Sequence, residues 1–373
     1  MKNDNPSGTI LVLSNVTSGL VNFRIELLEK LCQQYHVVII AEDNGYSTQL
    51  KEIGCEVVNF AIERHGTNPI TDFNLIKQYI HFEKKYKPTV VLTYTIKPNV
   101  YGGIASRIAQ TVYIANVTGM GDAIENRSFI SLVAKKLYRI GLKGAKCVFF
   151  QNKSNKDFFI YDHLYKGKSI LLPGSGVNLQ KHCFEDYPID TSKTVLSVIG
   201  RITKDKGIKE IIDAASEFKN EPVMIQLIGR CEGDYLEVIN TAEKDGVIRY
   251  VGQQKNVHEW IKNSHAVLHA SYHEGMSNVL LEAAACGRPL IATNIPGCRE
   301  AFDDGVSGIA FEPRSVDSLV KAIRQFLCLP YEKKVDMGIK GREKVEREFD
   351  RNKVISAYLE EIDCIEKYQR KPC

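Results

Sequence analysis

Short runs of β-branched and aliphatic residues alternate with longer amphipathic stretches along the whole chain, and midway the alternation begins again. Runs at 10–14, 36–41, 56–60, 89–94, 112–116 and 147–151 predict strands, and the stretches 21–34, 72–85 and 99–110 predict helices between them. Strands that are apolar throughout, each separated from the next by a helix, are what a parallel sheet covered on both faces requires. The pattern then returns, with strands expected at 194–199, 223–229, 248–252, 266–270 and 289–293 and helices near 206–218, 234–244, 277–287, 315–328 and 331–348. The fold class that follows is α/β, as two doubly wound halves in succession.

A chain of 373 residues can hold two cores at about 100–200 residues each. The seam is expected in Leu172-Pro173-Gly174-Ser175-Gly176-Val177 and the polar stretch after it, where proline, glycine and lost periodicity coincide. This places domains over 1–185 and 186–349, followed by a terminal amphipathic stretch over 350–373. The first 185 residues carry 22 basic and 15 acidic side chains and the rest 27 and 30, so the halves suit different partners. The overall charge of +4 is too balanced to announce a nucleic-acid binder. Ten scattered cysteines without a C-x-x-C read as reduced thiols and not as a disulfide framework or a zinc site. No run approaches the roughly 18 apolar residues of a membrane span. The apolar run at 9–13 is too short for a signal core, so the expected location is the cytosol or the cytosolic face of a membrane.

Two segments carry chemistry. Ser271-Tyr272-His273-Glu274-Gly275-Met276-Ser277-Asn278-Val279-Leu280-Leu281-Glu282 follows a predicted strand and opens a helix that ends near Gly287, with Pro289 beyond. With Ser277 at the N-cap, the amides of 278–280 have no intrahelical acceptor, and with the helix dipole they make an anion site beyond a strand's carboxyl end. Glu274 and Glu282 are at most about 12 Å apart along the helix. That spacing suits two hydroxyl-bearing parts of one ligand, the alternative being a capped helix with two exposed glutamates. The second segment, Gly200-Arg201-Ile202-Thr203-Lys204-Asp205-Lys206-Gly207, leaves the first strand of the second half. Its arginine offers a fork and its lysines mobile charges to phosphate oxygens, the alternative being a solvated charge cluster. Both segments leave the carboxyl ends of strands in one sheet, so their charges and amides can converge on one diphosphate.

These residues resemble the retaining glycosyltransferases of family four. The resemblance rests on the Glu274-x7-Glu282 spacing, the Gly-Arg-x-x-x-x-Lys-Gly loop at 200–207, Ala284-Ala285-Cys286-Gly287-Arg288-Pro289, Pro296-Gly297-Cys298-Arg299-Glu300 and Asp304-Gly305-Val306-Ser307-Gly308. The first half is similar more loosely, in 14–20 and in Val117-Thr118-Gly119-Met120-Gly121. Within the family the chain looks most like bacterial enzymes that build capsule, O-antigen or N-glycan precursors on polyprenyl diphosphate. The resemblance implies a GT-B fold: two facing Rossmann-like domains, the N-terminal one for acceptor and the C-terminal one for nucleotide-sugar donor, with the terminal helix crossing back. It implies that Arg201 and Lys206 hold the donor diphosphate and that Glu282 binds the ribose hydroxyls. Glu274 and the amides of Met276, Ser277, Asn278 and Val279 would meet the donor sugar and distal phosphate. Val257 would touch the base with Gly229 nearby, and Gly19 would let its loop approach the reacting phosphate.

The chemistry is consistent with these residues. A departing nucleoside diphosphate gathers negative charge that cations and a helix N-terminus can stabilise. No Asp-x-Asp occurs, which speaks against a metal-bridged donor, and no cofactor is called for beyond the donor, expected to be UDP-linked. The leaving phosphate itself can take the acceptor's proton. His273 is the nearest alternative base, with Asp122 behind it. On the acceptor side, Lys97 precedes Pro98 at a strand end. A predicted helix over 127–146 carries Lys136, Arg139, Lys143 and Lys146 beside an apolar stripe of Ile130, Val133, Leu137 and Ile140. A basic amphipathic helix of this kind suits an anionic membrane surface, the alternative being a core-facing helix with a solvated flank. The expected function is transfer of a sugar such as an N-acetylhexosamine from a UDP-sugar to a lipid-linked saccharide. A nucleotide-sugar epimerase of the same fold is the alternative.

Overall fold

A computed structural model describes residues 6–63, 68–119, 129–189, 192–233 and 235–369. Its contacts divide the chain into two units, residues 1–175 with 354–373 and residues 176–353.

In the first unit the strands are β1 (Thr9–Val16), β2 (His36–Glu42), β3 (Glu56–Asn59), β4 (Val90–Tyr94), β5 (Tyr113–Val117), β6 (Cys147–Phe150) and β7 (Ser169–Leu171). They form one sheet in the order 3-2-1-4-5-6-7, parallel at every pairing. The helices are α1 (Thr17–Cys32), α2 (Ser47–Glu52), α3 (Pro69–Tyr86), α4 (Gly103–Ala109), α5 (Phe129–Leu142) and α6 (Lys153–Tyr161). The pleat explains why β1 is apolar without interruption. Ile10 and Val12 enter one core layer with Leu27 of α1, while Leu11 and Leu13 enter the other with Leu75 and Tyr79 of α3. The expected helix over 99–110 begins instead as a π-helical turn, Pro98–Gly102. The Asn99 side chain there accepts from the Thr93 hydroxyl at 2.7 Å and donates to the Asn116 carbonyl at 2.8 Å, joining β4 to β5.

The second unit has β8 (Thr194–Ile199), β9 (Val223–Ile228), β10 (Arg249–Gly252), β11 (Ala266–His269), β12 (Leu290–Thr293) and β13 (Gly308–Phe311). Their order, 10-9-8-11-12-13, is again parallel throughout. Its helices are α7 (Ile208–Ser216), α8 (Tyr235–Lys244), α9 (Val257–Lys262), α10 (Asn278–Ala285), α11 (Val316–Leu327) and α12 (Tyr331–Glu348). The terminal α13 (Arg351–Gln369) spans the division at 353/354, and its Val354, Ile355, Tyr358, Ile362 and Ile365 belong to the first unit's core.

The division falls at 175/176 and not at 185/186, and the strap over 176–186 shows why. Val177 donates to the Phe349 carbonyl at 2.8 Å and accepts from the Arg351 amide at 3.1 Å. Arg288, fully buried, donates to the carbonyls of Glu185, Asp186 and Lys262, and Arg342 reaches those of His182 and Ala285. Two arginines therefore staple the strap to the second unit.

Candidate active site

In a doubly wound sheet the strand order reverses at one place, and loops leaving the carboxyl ends there diverge to open a crevice. In the second unit that place is the β8/β11 pair. The loop after β8 supplies Arg201 and Lys206; the loop after β11 supplies Glu274, Met276 and Ser277. The two loops touch directly. Tyr272 donates its amide to the Asp205 carbonyl at 2.8 Å. Gly207 has a φ of 65°, and a Cβ there would lie 2.3 Å from the Ala270 carbonyl oxygen, so the approach needs glycine.

This contact assembles a polar cluster. Lys206 Nζ lies 2.5 Å from Glu274 Oε1 and 3.4 Å from Ser271 Oγ. His269, the last residue of β11, places Nε2 at 2.9 Å from the same Glu274 oxygen and at 3.2 Å from Ser277 Oγ. Burial opposes a charge on Glu274, but the His269 hydrogen bond and the Lys206 cation prevail and hold its carboxyl down at about 2. Glu274 is thus an anion across the physiological range and fixes the Lys206 ammonium. Ser277 occupies the N-cap position of α10, yet its side chain makes no capping bond and turns to His269. The N-cap side chain therefore leaves the first turn of α10 uncapped. Asn278 Oδ1, in that turn, is buried without a hydrogen-bond partner.

Glu282, further along α10, sits apart from this cluster in chemistry. Burial pushes its carboxyl up to about 7 against the pull of Lys181 and Arg351, and His182 Nε2 stands 3.8 Å away. Gly229 closes β9 against the β8 loop: a Cβ there would lie 1.7 Å from the Gly200 carbonyl oxygen. Val257 opens α9, and Met276 is buried in the core, so Met276 offers the site only its backbone. Val279 packs partly against the same core.

Other candidates are placed differently. Arg201 is not part of the Lys206–Glu274 contacts; its side chain is 60% exposed and its Nη1 lies 3.4 Å from Glu232 Oε2. Gly19 belongs to the first unit, in the first turn of α1, and a Cβ there would meet nothing within 4 Å. Lys97 is buried against Asp72 at 3.1 Å, with the Tyr101 hydroxyl donating to the same carboxylate at 2.6 Å. Asp122 lies outside the described residues. On α5 the expected stripe is corrected: Leu137 packs partly into the core, whereas Leu132 and Ile140 are the exposed apolar residues, and the Ile130 side chain is outside the description. Lys136 and Lys143 are exposed, Lys143 just past the helix end. Arg139 closes the end of α6 by donating to the carbonyls of Asp162 and His163. Sequence reasoning missed His269, whose signal was a histidine at the carboxyl end of a buried strand, five residues before a glutamate.

The family description "Glycosyl transferases group 1" matches residues 180–344, and "Glycosyl transferase 4-like" matches residues 9–152. The chain is 24% identical to the N,N'-diacetylbacillosaminyl-diphospho-undecaprenol alpha-1,3-N-acetylgalactosaminyltransferase of Campylobacter jejuni, over 95% of this chain and 98% of that one. It is 26% identical to the capsular polysaccharide biosynthesis glycosyltransferase CapM of Staphylococcus aureus, over 91% and 92%. The crystal structure of Anabaena HepE in complex with UDP and glucose superposes with a TM-score of 0.78 at 17% identity, covering 95% of this chain and 99% of that one. Likeness at that identity shows a shared fold.

Proposed function

The chain belongs to the group 1 and 4-like glycosyltransferases of GT-B fold, and from that premise we propose that it transfers a sugar, with retention and without metal, from a UDP-sugar to a polyprenyl-diphosphate-linked saccharide in surface-glycan assembly. The observation that carries the reading is the Lys206–Glu274–His269–Ser277 cluster beside the uncapped start of α10. A cation fixed by a half-buried anion, next to a helix N-terminus whose N-cap side chain does not cap it, is a preorganised receptor for a departing diphosphate. Lys206 and Arg201 are assigned to the diphosphate, Arg201 by turning from its exposed partner Glu232. Glu274, a permanent anion, orients Lys206 and meets the donor sugar, while Glu282 accepts from the ribose hydroxyls.

The bond between the anomeric carbon and the β-phosphate oxygen breaks as the acceptor oxygen bonds to the same face of the sugar. The leaving phosphate takes the acceptor's proton, so no protein base is required. Acceptor binding is assigned to the first unit. The Campylobacter relative acts on an undecaprenyl-linked sugar and adds N-acetylgalactosamine, which supports a lipid-linked acceptor and an N-acetylhexosamine donor here. A peripheral position on the cytosolic face of the membrane fits that acceptor, and no described helix is long and apolar enough to cross a membrane.

A panel of nucleotide sugars, each incubated with and without a lipid-diphosphate acceptor, tests the reading. The expected result is UDP release only with acceptor, an α-linked product from an α-linked donor, and turnover that survives a chelator. Conversion of a UDP-sugar with no acceptor present would overturn it.

A further inference from the structure

The stapled strap brings together residues that play no part in the donor cluster. Cys183 is exposed, two residues before Glu185, and its Sγ lies 3.5 Å from Glu185 Oε1. His258, in the first turn of α9, places Nε2 at 2.9 Å from that oxygen and 3.9 Å from the sulfur. One sulfur, one imidazole nitrogen and one carboxylate oxygen thus face one another at 3.5, 2.9 and 3.9 Å. A tetrahedral zinc ion, with bonds of about 2.3 Å to sulfur and about 2.0–2.2 Å to nitrogen and oxygen, sets ligand atoms about 3.4–3.6 Å apart. The trio needs shifts of only about 0.5 Å to match.

We propose that Cys183, Glu185 and His258 form a binding site for a thiophilic divalent cation of the zinc class.

The surroundings are those of a built site. The backbone of Glu185 is held from both sides, its amide by the Cys286 carbonyl at 3.4 Å and its carbonyl by Arg288 at 3.0 Å. Glu185 Oε2 faces Lys262 Nζ at 3.1 Å, leaving Oε1 for the ion. His258 Nδ1 stands 3.3 Å from Cys286 Sγ, an outer contact that orients the ring and leaves Nε2 to coordinate. Thiolate and carboxylate together balance a doubly charged cation, and the thiol proton passes to solvent on binding. A water on the exposed side completes four-coordination. The mixed sulfur, nitrogen and oxygen set selects zinc over magnesium or calcium. Cross-linking the strap to α9 would stabilise the second unit by mass action.

The test is a cobalt(II) titration of the full chain in a non-thiol reductant, followed by displacement with zinc. The expected result is a near-ultraviolet thiolate-to-cobalt band with the strong visible bands of four-coordinate cobalt, saturating at a stoichiometric ratio, and a higher Tm with zinc. Cys183→Ser should abolish the thiolate band and weaken zinc by more than the roughly 10–100-fold that an outer-contact loss costs. Cys328→Ser, at another exposed cysteine, should change neither. Absence of the thiolate band from the wild-type chain would overturn the proposal. So would its persistence in Cys183→Ser, which would move the ion to the inner His182, His258 and Cys286 group. None of these readouts depends on transferase activity.

Discussion

The two sheets run in the same order around their reversal points, β1/β4 in the first unit and β8/β11 in the second, yet the polar groups at those points have different partners. In the first unit they are answered by the fold itself. The Asp43–Asn44 turn meets the start of α1, where Asn44 Oδ1 accepts from the Ser18 amide at 3.0 Å, and Lys97 is buried on Asp72. In the second unit the lysine is held but reachable, the helix start has no side-chain cap, and Asn278 Oδ1 is buried without a partner. Equal topology therefore does not make equal sites; what differs is whether local side chains already satisfy the charges and amides that the topology exposes.

Exchanging a lysine in each unit should separate stability from catalysis. Lys97→Met leaves Asp72 buried with one remaining partner, and losing half of a buried pair costs about 3–5 kcal/mol. Thermal unfolding should show that loss while the UDP affinity proposed for the second unit, by calorimetry, stays unchanged; a weaker UDP affinity would break the contrast. Lys206→Ala should act on catalysis. It should cost about 2.7–4 kcal/mol of transition-state stabilisation in kcat/KM, over and above any fall in Tm from leaving Glu274 with His269 as its partner, and Arg201→Ala should lie in the same range if its side chain turns to the donor. Unchanged steady-state rates in both variants would remove these cations from the site.

The same contrast shows what could be read from residues alone. The central strands were legible because they are apolar on both faces, as Ile10–Leu13 and Val90–Tyr94 are. The edge strands β7 and β13 were not, since three or four residues with a neighbour on one side carry little pattern. Short helices such as α9, at six residues, offer too few turns for periodicity. The two site loops were legible through their glycines and charges. The direction of Arg201 was not, because Glu232, 31 residues away, meets its guanidinium. Arg288 read only as part of a run resembling the family, whereas its bonds to the carbonyls of Glu185 and Asp186 hold the strap. His269 was missed because it lies at the end of the expected strand over 266–270, and a strand end and the loop after it have no shared period.

Glu282 sharpens the comparison through pH. Its folded pKa, about 7, lies above the ordinary carboxylate value near 4.5, so the folded chain binds the extra proton between those values. The wild-type chain therefore loses stability as pH rises from about 4.5 through about 7. Glu282→Gln removes that loss. Its stability advantage, followed through Tm at each pH, should be absent in acid, grow across this window and level off above it at about 1–3 kcal/mol. If the same carboxylate accepts from ribose hydroxyls, the variant should also raise the KM for donor more than it lowers kcat. A flat Tm difference across the pH range would return Glu282 to an ordinary exposed glutamate.

The smallest expected effect belongs to α5, where the first unit presents charge that its fold does not use. Leu132 and Ile140 are exposed at 67% and 39%, with Lys136 between them and Lys143 just beyond. An apolar pair flanked by cations is the composition of a surface that rests on anionic headgroups, each cation contributing about 1 kcal/mol near the membrane. Lys136→Ser with Lys143→Ser should weaken flotation with anionic vesicles by about 2 kcal/mol, the wild-type binding itself fading at high salt. Arg139 is the internal control. Because it already closes α6, Arg139→Gln should lower Tm. If wild type fails to float at any ionic strength, α5 is a core-facing helix with a solvated flank, and the charge excess of the first half has another cause.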